Sequence, residues 1–416
     1  RSDSRNLRHT VARESTQMNN RDVLSDSIVV VSGARTPIGG YMGGLSSTPT
    51  YRLGSLAVQA AIWRAGVDPE DVDEVIMGCI GQVGPEAYNA RRVLIDAGIP
   101  LSAAAYNVNR LCGSGLQAIL SGAMQLQLGQ SNVVVAGGNE NMSGQPFLEP
   151  QARSGAKLGN RVLVDGTLSL VTDPWGDYLM GHTAENVARA YNVNRAEQDQ
   201  WAARSQQRAA DAISRGAFTS EIISVEVEKA KGQAESVGAD EHPRPNTTFE
   251  GLSRLRPSFS AEGTVTAGNS SGINDAGAAT VLMREVDARE RGMIPLGRLV
   301  GWASHGCDPA MMGYAPVGAI RILLDRLGMS VKDLDVVELN EAFAAQVIAV
   351  VRDSGLDPER TNPNGGAIAL GHPVGATGTI LTIKMLHDLQ SRDLERGLVT
   401  MCIGGGQALA AVFERV

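Results

Sequence analysis

Cys112 stands in the stretch Asn109-Arg110-Leu111-Cys112-Gly113-Ser114-Gly115, and an apolar run follows from Leu116 to about Leu128. A cysteine just ahead of a helix meets unpaired backbone N–H groups and the positive end of the helix dipole. Its thiol is expected to ionise more easily, and the thiolate is the nucleophile. Gly113 and Gly115 carry no side chain, so another molecule can approach the backbone closely. On these residues alone a buried structural cysteine fits equally well. Three more reactive side chains lie far downstream. His372 sits in a glycine-dense helix start, Gly371-His372-Pro373. Cys402 runs into three consecutive glycines, Gly404 to Gly406, and Asn340 follows an apolar strand in Asn340-Glu341-Ala342-Phe343. Singly, these read as a structural histidine, a tight bend and a helix cap.

The elements that must position them alternate between strand and helix. Residues 27–31 are a continuous apolar run bounded by Gly33 and Pro37, which reads as a buried strand. Leu53, Leu56, Ala57, Ala60 and Ala61 recur at helical spacing up to Gly66, and residues 71–78 give an acidic lead-in and a strand. The Cys112 helix comes next, and Val133 to Gly138 is another buried strand. The alternation predicts parallel pairing with both sheet faces covered.

Residues 143–272 differ. They hold one amphipathic segment, Thr183 to about Arg215, among loops rich in glycine, proline and charge. A long insertion in an α/β chain is usually functional, although surface loops also tolerate insertion at little cost. After Ile273 the chain resembles its own first half. Residues 333–340 echo the Asp71 stretch, the His372 turn takes the place of the Cys112 turn, and residues 398–406 echo Val133 to Gly138, at closely matching separations. An internal duplication with pseudo-twofold symmetry follows, with ligands expected beyond the carboxyl ends of the strands. Two cysteines, a histidine and an asparagine at corresponding points of such a scaffold argue for a shared site.

Composition sets the bounds. A length of 416 residues predicts two or three units and a large core. A net charge of −8 and 4% aromatic residues leave no basic, stacking surface for nucleic acid. The four cysteines Cys79, Cys112, Cys307 and Cys402 are far apart with no CxxC pair, against both a metal site and a disulfide-stapled secreted domain. No apolar run approaches the roughly 18 residues of a membrane span. Residues 1–26 are polar. Their five arginines invite a transit-peptide reading, which Asp3, Glu14 and Asp22 weaken, and a native extension or a tag remnant fits as well.

With these blocks in view, the chain resembles the thiolase family. The blocks are Asn109 to Gly115, Thr266-Ala267-Gly268-Asn269-Ser270-Ser271-Gly272-Ile273-Asn274-Asp275-Ala276, Asn340 to Ala344, Gly365 to Gly375 and Cys402 to Gly406. The likeness covers about Ser27 to Val416. It implies two α/β halves stacked as five layers, α-β-α-β-α, with an inserted loop domain. The expected divisions are 27–142 for the first half, 143–272 for the loop domain, 273–294 for a return to the first half, and 295–416 for the second.

The resemblance also implies roles. Cys112 accepts the acyl group, His372 takes its proton, and Cys402 serves the carbon that forms or breaks the C–C bond. His372 and a water held by Asn340 would stabilise the enolate, and the N–H groups of Cys112 and Gly404 the acyl carbonyl. Coenzyme A is implied against Met180, Arg244, Phe259, Ala267, Ser271, Met312, Ala342 and Phe343. Substrates would be acetyl-CoA and acyl-CoA, with no tightly bound cofactor and no metal. Expected too are a homodimer or homotetramer, a cytoplasmic setting, and work in fatty acid metabolism by condensation or thiolysis. One departure stands out: short-chain biosynthetic thiolases commonly read Tyr-His-Met-Gly where this chain has Tyr178-Leu179-Met180-Gly181, so acetyl-CoA C-acetyltransferase and 3-ketoacyl-CoA thiolase both stay in play. A ketoacyl-synthase-like enzyme would pair the cysteine with two histidines, where Cys402 stands here. A non-catalytic acyl-CoA binder would not need both cysteines. Cys79 and Cys307 read as structural, and His9, His182, His242, His305 and His387 receive no role.

Overall fold

A computed structural model describes residues 26–155, 157–228 and 232–416, so the N-terminal extension lies outside the described residues apart from Asp26. The first half runs β1 (Ile28–Arg35), α1 (Thr50–Ala65), β2 (Glu74–Gly78), α2 (Asn89–Asp96), β3 (Ala104–Val108), α3 (Ser114–Gln127) and β4 (Val133–Asn141). A long excursion follows, with α4 (Gly181–Ala190) and α5 (Arg195–Ser214), before β5 (Asn274–Arg284). The second half runs β6 (Gly297–Gly306), α6 (Ala315–Leu327), β7 (Val336–Leu339), α7 (Ala344–Ser354), α8 (Thr377–Ser391), β8 (Arg396–Ile403) and β9 (Gln407–Glu414).

The strand order is β7-β8-β9-β6-β1-β5-β4-β2-β3, with the two-residue strand Gly39–Gly40 also paired to β5. The two half-sheets meet only at Ile28 to Val30 against Gly297 to Leu299. The expectation of parallel pairing holds for β2 with β3 and β4, and for β7 with β8. It fails for β4 with β5, β1 with β5, β8 with β9, and β6 with β9, which are antiparallel. For β8 with β9 the reason is the connection. Only Gly404 to Gly406 separates β8 from β9, and so short a link makes a hairpin, never a crossover.

Period-two alternation builds the layers. In β1, Val29 and Val31 pack with α1 and α2, while Ile28 and Val30 turn to α3 and the far half. In β9, Leu409, Ala411 and Phe413 face that same central layer, while Ala408, Ala410 and Val412 pack with α6 and α7. The outcome is helices, sheet, helices, sheet, helices. Each buried Val, Leu, Ile or Phe contributes roughly 1.5–3 kcal/mol. Helices α1, α6 and α7 stop on Gly66, Gly328 and Gly355 in the left-handed region, at φ 66°, 65° and 68°. A capping box starts α5: Asn194 Oδ1 accepts from Glu197 N at 3.0 Å and Glu197 Oε2 accepts from Asn194 N at 2.9 Å.

The duplication is visible in small devices. Asp73 Oδ2 accepts from Asn132 N and Val133 N at 2.6 and 3.1 Å, and Asp335 Oδ2 accepts from Glu395 N and Arg396 N at 2.9 and 3.0 Å. Each aspartate thus aligns the strand after its half's central helix, β4 or β8, with the parallel strand beside it, β2 or β7. The two central helices touch at their starts. A β-carbon on Gly115 would stand 2.9 Å from Thr379 N, and one on Gly378 would stand 2.3 Å from Leu116 N. Each is the second residue of its helix, and each meets the residue after its counterpart. This crossing brings the loops ahead of α3 and α8 together.

Candidate active site

Those two loops carry Cys112 and His372. Ahead of α3 the chain turns sharply: Leu111 takes φ 47°, uncommon for a branched side chain. Gly113 N donates to Arg110 O at 3.1 Å and Ser114 N to Leu111 O at 2.9 Å. Ser114 pins the turn, its Oγ accepting from Arg110 N at 2.9 Å and donating to Leu111 O at 2.6 Å. Cys112 is left half-buried, packed against Ile80, Met142 and Val374.

Ahead of α8, Gly371 takes φ 105°, and a β-carbon there would stand 2.6 Å from the Asn274 carboxamide. Only glycine fits. Asn274 Oδ1 accepts from His372 N at 2.9 Å, which fixes the backbone. The ring is fixed as well. His372 Nδ1 lies 2.7 Å from Thr377 Oγ1, and Thr377 Oγ1 donates its proton to Pro373 O at 3.0 Å. That hydroxyl can therefore only accept from the ring, which puts the ring proton on Nδ1 by hydrogen-bond logic. Nε2 keeps its lone pair, toward which Asn340 Nδ2 points at 3.4 Å. Asn340 Oδ1 is buried without a protein partner among the described residues.

The electrostatics correct one expectation. Burial pushes the Cys112 thiol up from its ordinary value, helped by the Glu140 charge. The N–H groups of Gly404 and of Cys112 itself point at the sulfur and oppose the rise without reversing it. The helix start therefore does not lower this thiol. Desolvation outweighs a dipole that fades within one turn. Burial lowers His372 to about 4, so the imidazole is neutral at pH 7. Cys402 is pushed up strongly, first by burial and next by the charge of Cys112, with Cys307 adding a smaller push. The two distant sulfurs are thus near enough to sense one another.

Cys402 belongs to an apolar cluster with Ala184, Val265, Met312, Ala342 and Phe343, against which Met180 and Phe259 pack. Rings lead outward from it: Phe343 to Phe259 at 6.1 Å, Phe259 to His182 at 6.0 Å, and His182 to Tyr178 at 5.3 Å. Met180 also touches the turn, since a β-carbon on Gly404 would lie 3.2 Å from its methyl and from Leu111 Cδ1. Ser271 joins through its N–H to Ala342 O at 2.9 Å. Ala267 and Arg244 are exposed, and Arg244 is anchored through its backbone N to Gln206 Oε1 at 2.8 Å. So the structure gathers Cys112, His372, Asn340, Cys402 and Gly404 with Met180, Phe259, Ser271, Met312, Ala342 and Phe343, and leaves Ala267 and Arg244 at the surface.

Thr377, Asn274 and Glu140 received no role in the sequence reading. The duplication held a signal for Thr377: it stands where Ser114 stands in the first half, the first residue of a central helix, with a hydroxyl tied back to the preceding loop.

Two family models match the chain: the thiolase N-terminal domain over residues 28–286 and the thiolase C-terminal domain over residues 293–415. The chain is 48% identical to the β-ketothiolase BktB of Cupriavidus necator, over 94% of this chain and 100% of that one. Among solved structures, the acetyl-CoA acetyltransferase of Bacillus anthracis superposes with a TM-score of 0.93 at 41% identity, covering 95% of this chain and 100% of that one. The human mitochondrial 3-ketoacyl-CoA thiolase in complex with CoA gives 0.90 at 41% identity, covering 94% and 98%. With both halves matched and the sulfurs, imidazole and carboxamide gathered at one place, the chain belongs to the thiolase family.

Proposed function

We propose that this thiolase is an acetyl-CoA C-acyltransferase, working by ping-pong through an acyl thioester on Cys112. The proposal is carried by the meeting of two segments: Cys112 lies against the Gly404 N–H and near Cys402, and it packs with Val374 of the segment on which Asn340 holds His372. In the resting site both thiols and the imidazole are neutral. The proton leaves Cys112 for His372 Nε2 only as the sulfur attacks the thioester carbonyl, and CoA thiolate departs. The carbonyl oxygen takes the N–H groups of Cys112 and Gly404. A single such donor is typically worth about 2.7–4 kcal/mol.

Acylation of Cys112 has a second effect. An acylated sulfur cannot ionise, so no charge on Cys112 can then oppose ionisation of Cys402. The departing CoA thiolate takes the Cys402 proton and leaves as CoA, and the Cys402 thiolate so formed takes a proton from C2 of a second acetyl-CoA. The enolate oxygen lies toward His372 and Asn340, and the carbanion attacks the acyl carbon, releasing Cys112. Thiolysis of a 3-ketoacyl-CoA is the reverse.

The coenzyme A reading rests on the cluster around Met180, Phe259, Met312 and Phe343, with Ser271 tied to Ala342 through its N–H and with Arg244 and Ala267 exposed, open to a nucleotide. The loop domain, residues 143–272, would carry most of it. Acetyl transfer is favoured by the relatives' names. Leu179 favours a longer 3-ketoacyl chain as the second reading, because a hydrogen-bonding side chain is replaced by an apolar one. Kinetics with acetoacetyl-CoA against a longer 3-ketoacyl-CoA separate the two.

A cytoplasmic setting fits the four free cysteines, and a role in fatty acid metabolism rests on the proposed acyl-CoA substrates alone. Among the described residues no helix is long and apolar enough to cross a membrane. A homodimer or homotetramer fits two surfaces. Strand β3 is an edge of the sheet, partly exposed, and unpaired edges invite a second chain. The hairpin around Phe147 and Val164 exposes Phe147, Leu158, Val162 and Leu163.

The test is incubation with acetyl-CoA and mass spectrometry of the intact chain. An acetyl adduct is expected on Cys112 and is absent in Cys112→Ser. Cys402→Ser keeps the adduct but loses carbon–carbon exchange by about four orders of magnitude or more. A wild-type chain that forms no adduct overturns the proposal.

A further inference from the structure

Glu140 lies near the end of β4, completely buried. Its Oε2 accepts from Ile80 N at 3.0 Å and its Oε1 from Gly81 N at 2.9 Å, both just beyond β2. The N–H of Gly375 also donates to it. Gly375 is three residues past His372 and belongs to the other half of the molecule. The fit there is tight: a β-carbon on Gly375 would stand 2.5 Å from Glu140 Oε2, 2.9 Å from Asn139 O and 3.0 Å from Gly78 O. Gly375 O in turn presses on Gly138 and Gly115. The groups that face the carboxyl are backbone N–H groups and the side chains of Cys79, Glu86 and Cys112, with no cation among them. A buried carboxyl without a cation is costly, and stability alone would be served as well by an uncharged side chain.

We infer that Glu140 is a positioning residue of the thiolase reaction: its carboxylate holds the His372 segment of the second half against the start of the Cys112 helix in the first. The inference rests on the roles of Cys112 and His372 proposed above. Misplacing a reacting group by about 1 Å can cost on the order of a hundredfold in rate, so one hydrogen bond at Gly375 has leverage on the base. The same carboxylate acts on the nucleophile through space, because its negative charge opposes ionisation of Cys112. Burial raises Glu140 itself to about 7, with Glu86 adding to the rise and the three N–H donors opposing it. Its charge therefore changes near neutral pH.

The experiment uses the full chain and Glu140→Gln, an isostere that cannot accept all three N–H groups and bears no charge. Two readouts are expected to move in opposite directions. Alkylation of Cys112 by iodoacetamide at pH 7 becomes several-fold faster, because a nearby negative charge has gone. Acetyl transfer falls by at least about tenfold in kcat, with KM for acetyl-CoA nearly unchanged. A break near pH 7 in the wild-type rate profile also disappears. If Glu140→Gln does not fold, Glu140→Asp decides: it keeps the charge and shortens the reach to Gly375, so alkylation stays at the wild-type rate while kcat falls. A wild-type kcat in either variant, or a parallel loss of alkylation and turnover, overturns the inference. The acetyl adduct on wild-type Cys112 separates the two claims. Its absence sinks the reading of the site, whereas its presence with undiminished turnover in Glu140→Gln sinks only the role of Glu140.

Discussion

The two halves solve the same folding problem with the same parts and differ where it counts. Both pair two strands in parallel, lay a glycine-started helix across the centre, and return through an antiparallel strand. In the second half the return is three glycines long. In the first half it opens between Asn141 and Asn274 into the segment that holds α4, α5 and the aromatic chain. The short return provides the Gly404 N–H, aimed at a sulfur. The long one provides surface against which a ligand can lie. One scaffold, used twice, thus ends in a tight turn against a sulfur in one half and in a long inserted segment in the other.

The helix starts differ as well. Ser114 ties its hydroxyl to the backbone of the Cys112 turn, and Thr377 ties its own to the imidazole and the Pro373 carbonyl. The equivalent hydroxyl therefore shapes a backbone in one half and selects a tautomer in the other.

The comparison can be broken first at the crossing. Gly378→Ala forces a β-carbon against Leu116 N, and denaturant unfolding should show a loss of about 2 kcal/mol or more. Gly115→Ala should cost less, about 1–2 kcal/mol, since its nearest backbone contact is longer. Two neutral substitutions would mean that the halves are not locked at this point. Next comes the tautomer. Thr377→Val removes the acceptor on Nδ1 and is expected to lower kcat by about 10–100-fold, with a loss of about 1–3 kcal/mol in unfolding from the buried N–H left unpaired. An unchanged kcat would return Thr377 to the status of a helix residue.

Acid titration tests the burial of the second half. The folded protein holds His372 neutral down to about 4, whereas an unfolded histidine protonates near about 6.5. Between these values the unfolded chain binds more protons. Stability is then complete above about pH 6.5 and declines as pH falls toward 4. His372→Asn should flatten that decline. The smallest effect sharpens the symmetry: Asp73→Ala and Asp335→Ala should each cost about 1 kcal/mol, and nearly equally.

Much of this was legible in the chain. Apolar strands, glycine stops and the repeated acidic lead-in announced two α/β halves, and the spacing of Cys112, His372 and Cys402 announced that they meet. Strand direction was not legible, because alternation of strand and helix does not say which connection is too short to cross over. The thiol was misjudged for a related reason. The helix start is written in the residues around Cys112, but the desolvation that overrides it comes from Ile80, Met142 and Val374, distant in sequence. Glu140 was hidden because Gly-Gly-Asn-Glu-Asn reads as the end of a strand, and its partner Gly375 belongs to the other half.

The joint at β1 and β6 is only three residue pairs wide. The halves are therefore married mainly through the middle layer, where α3 and α8 lie back to back. A disturbance on either outer flank must travel through that spine before it reaches the opposite flank, and the spine's near end carries the turns of Cys112 and His372, where acyl transfer is proposed. Damage far from the chemistry should then register as slow turnover before it registers as melting.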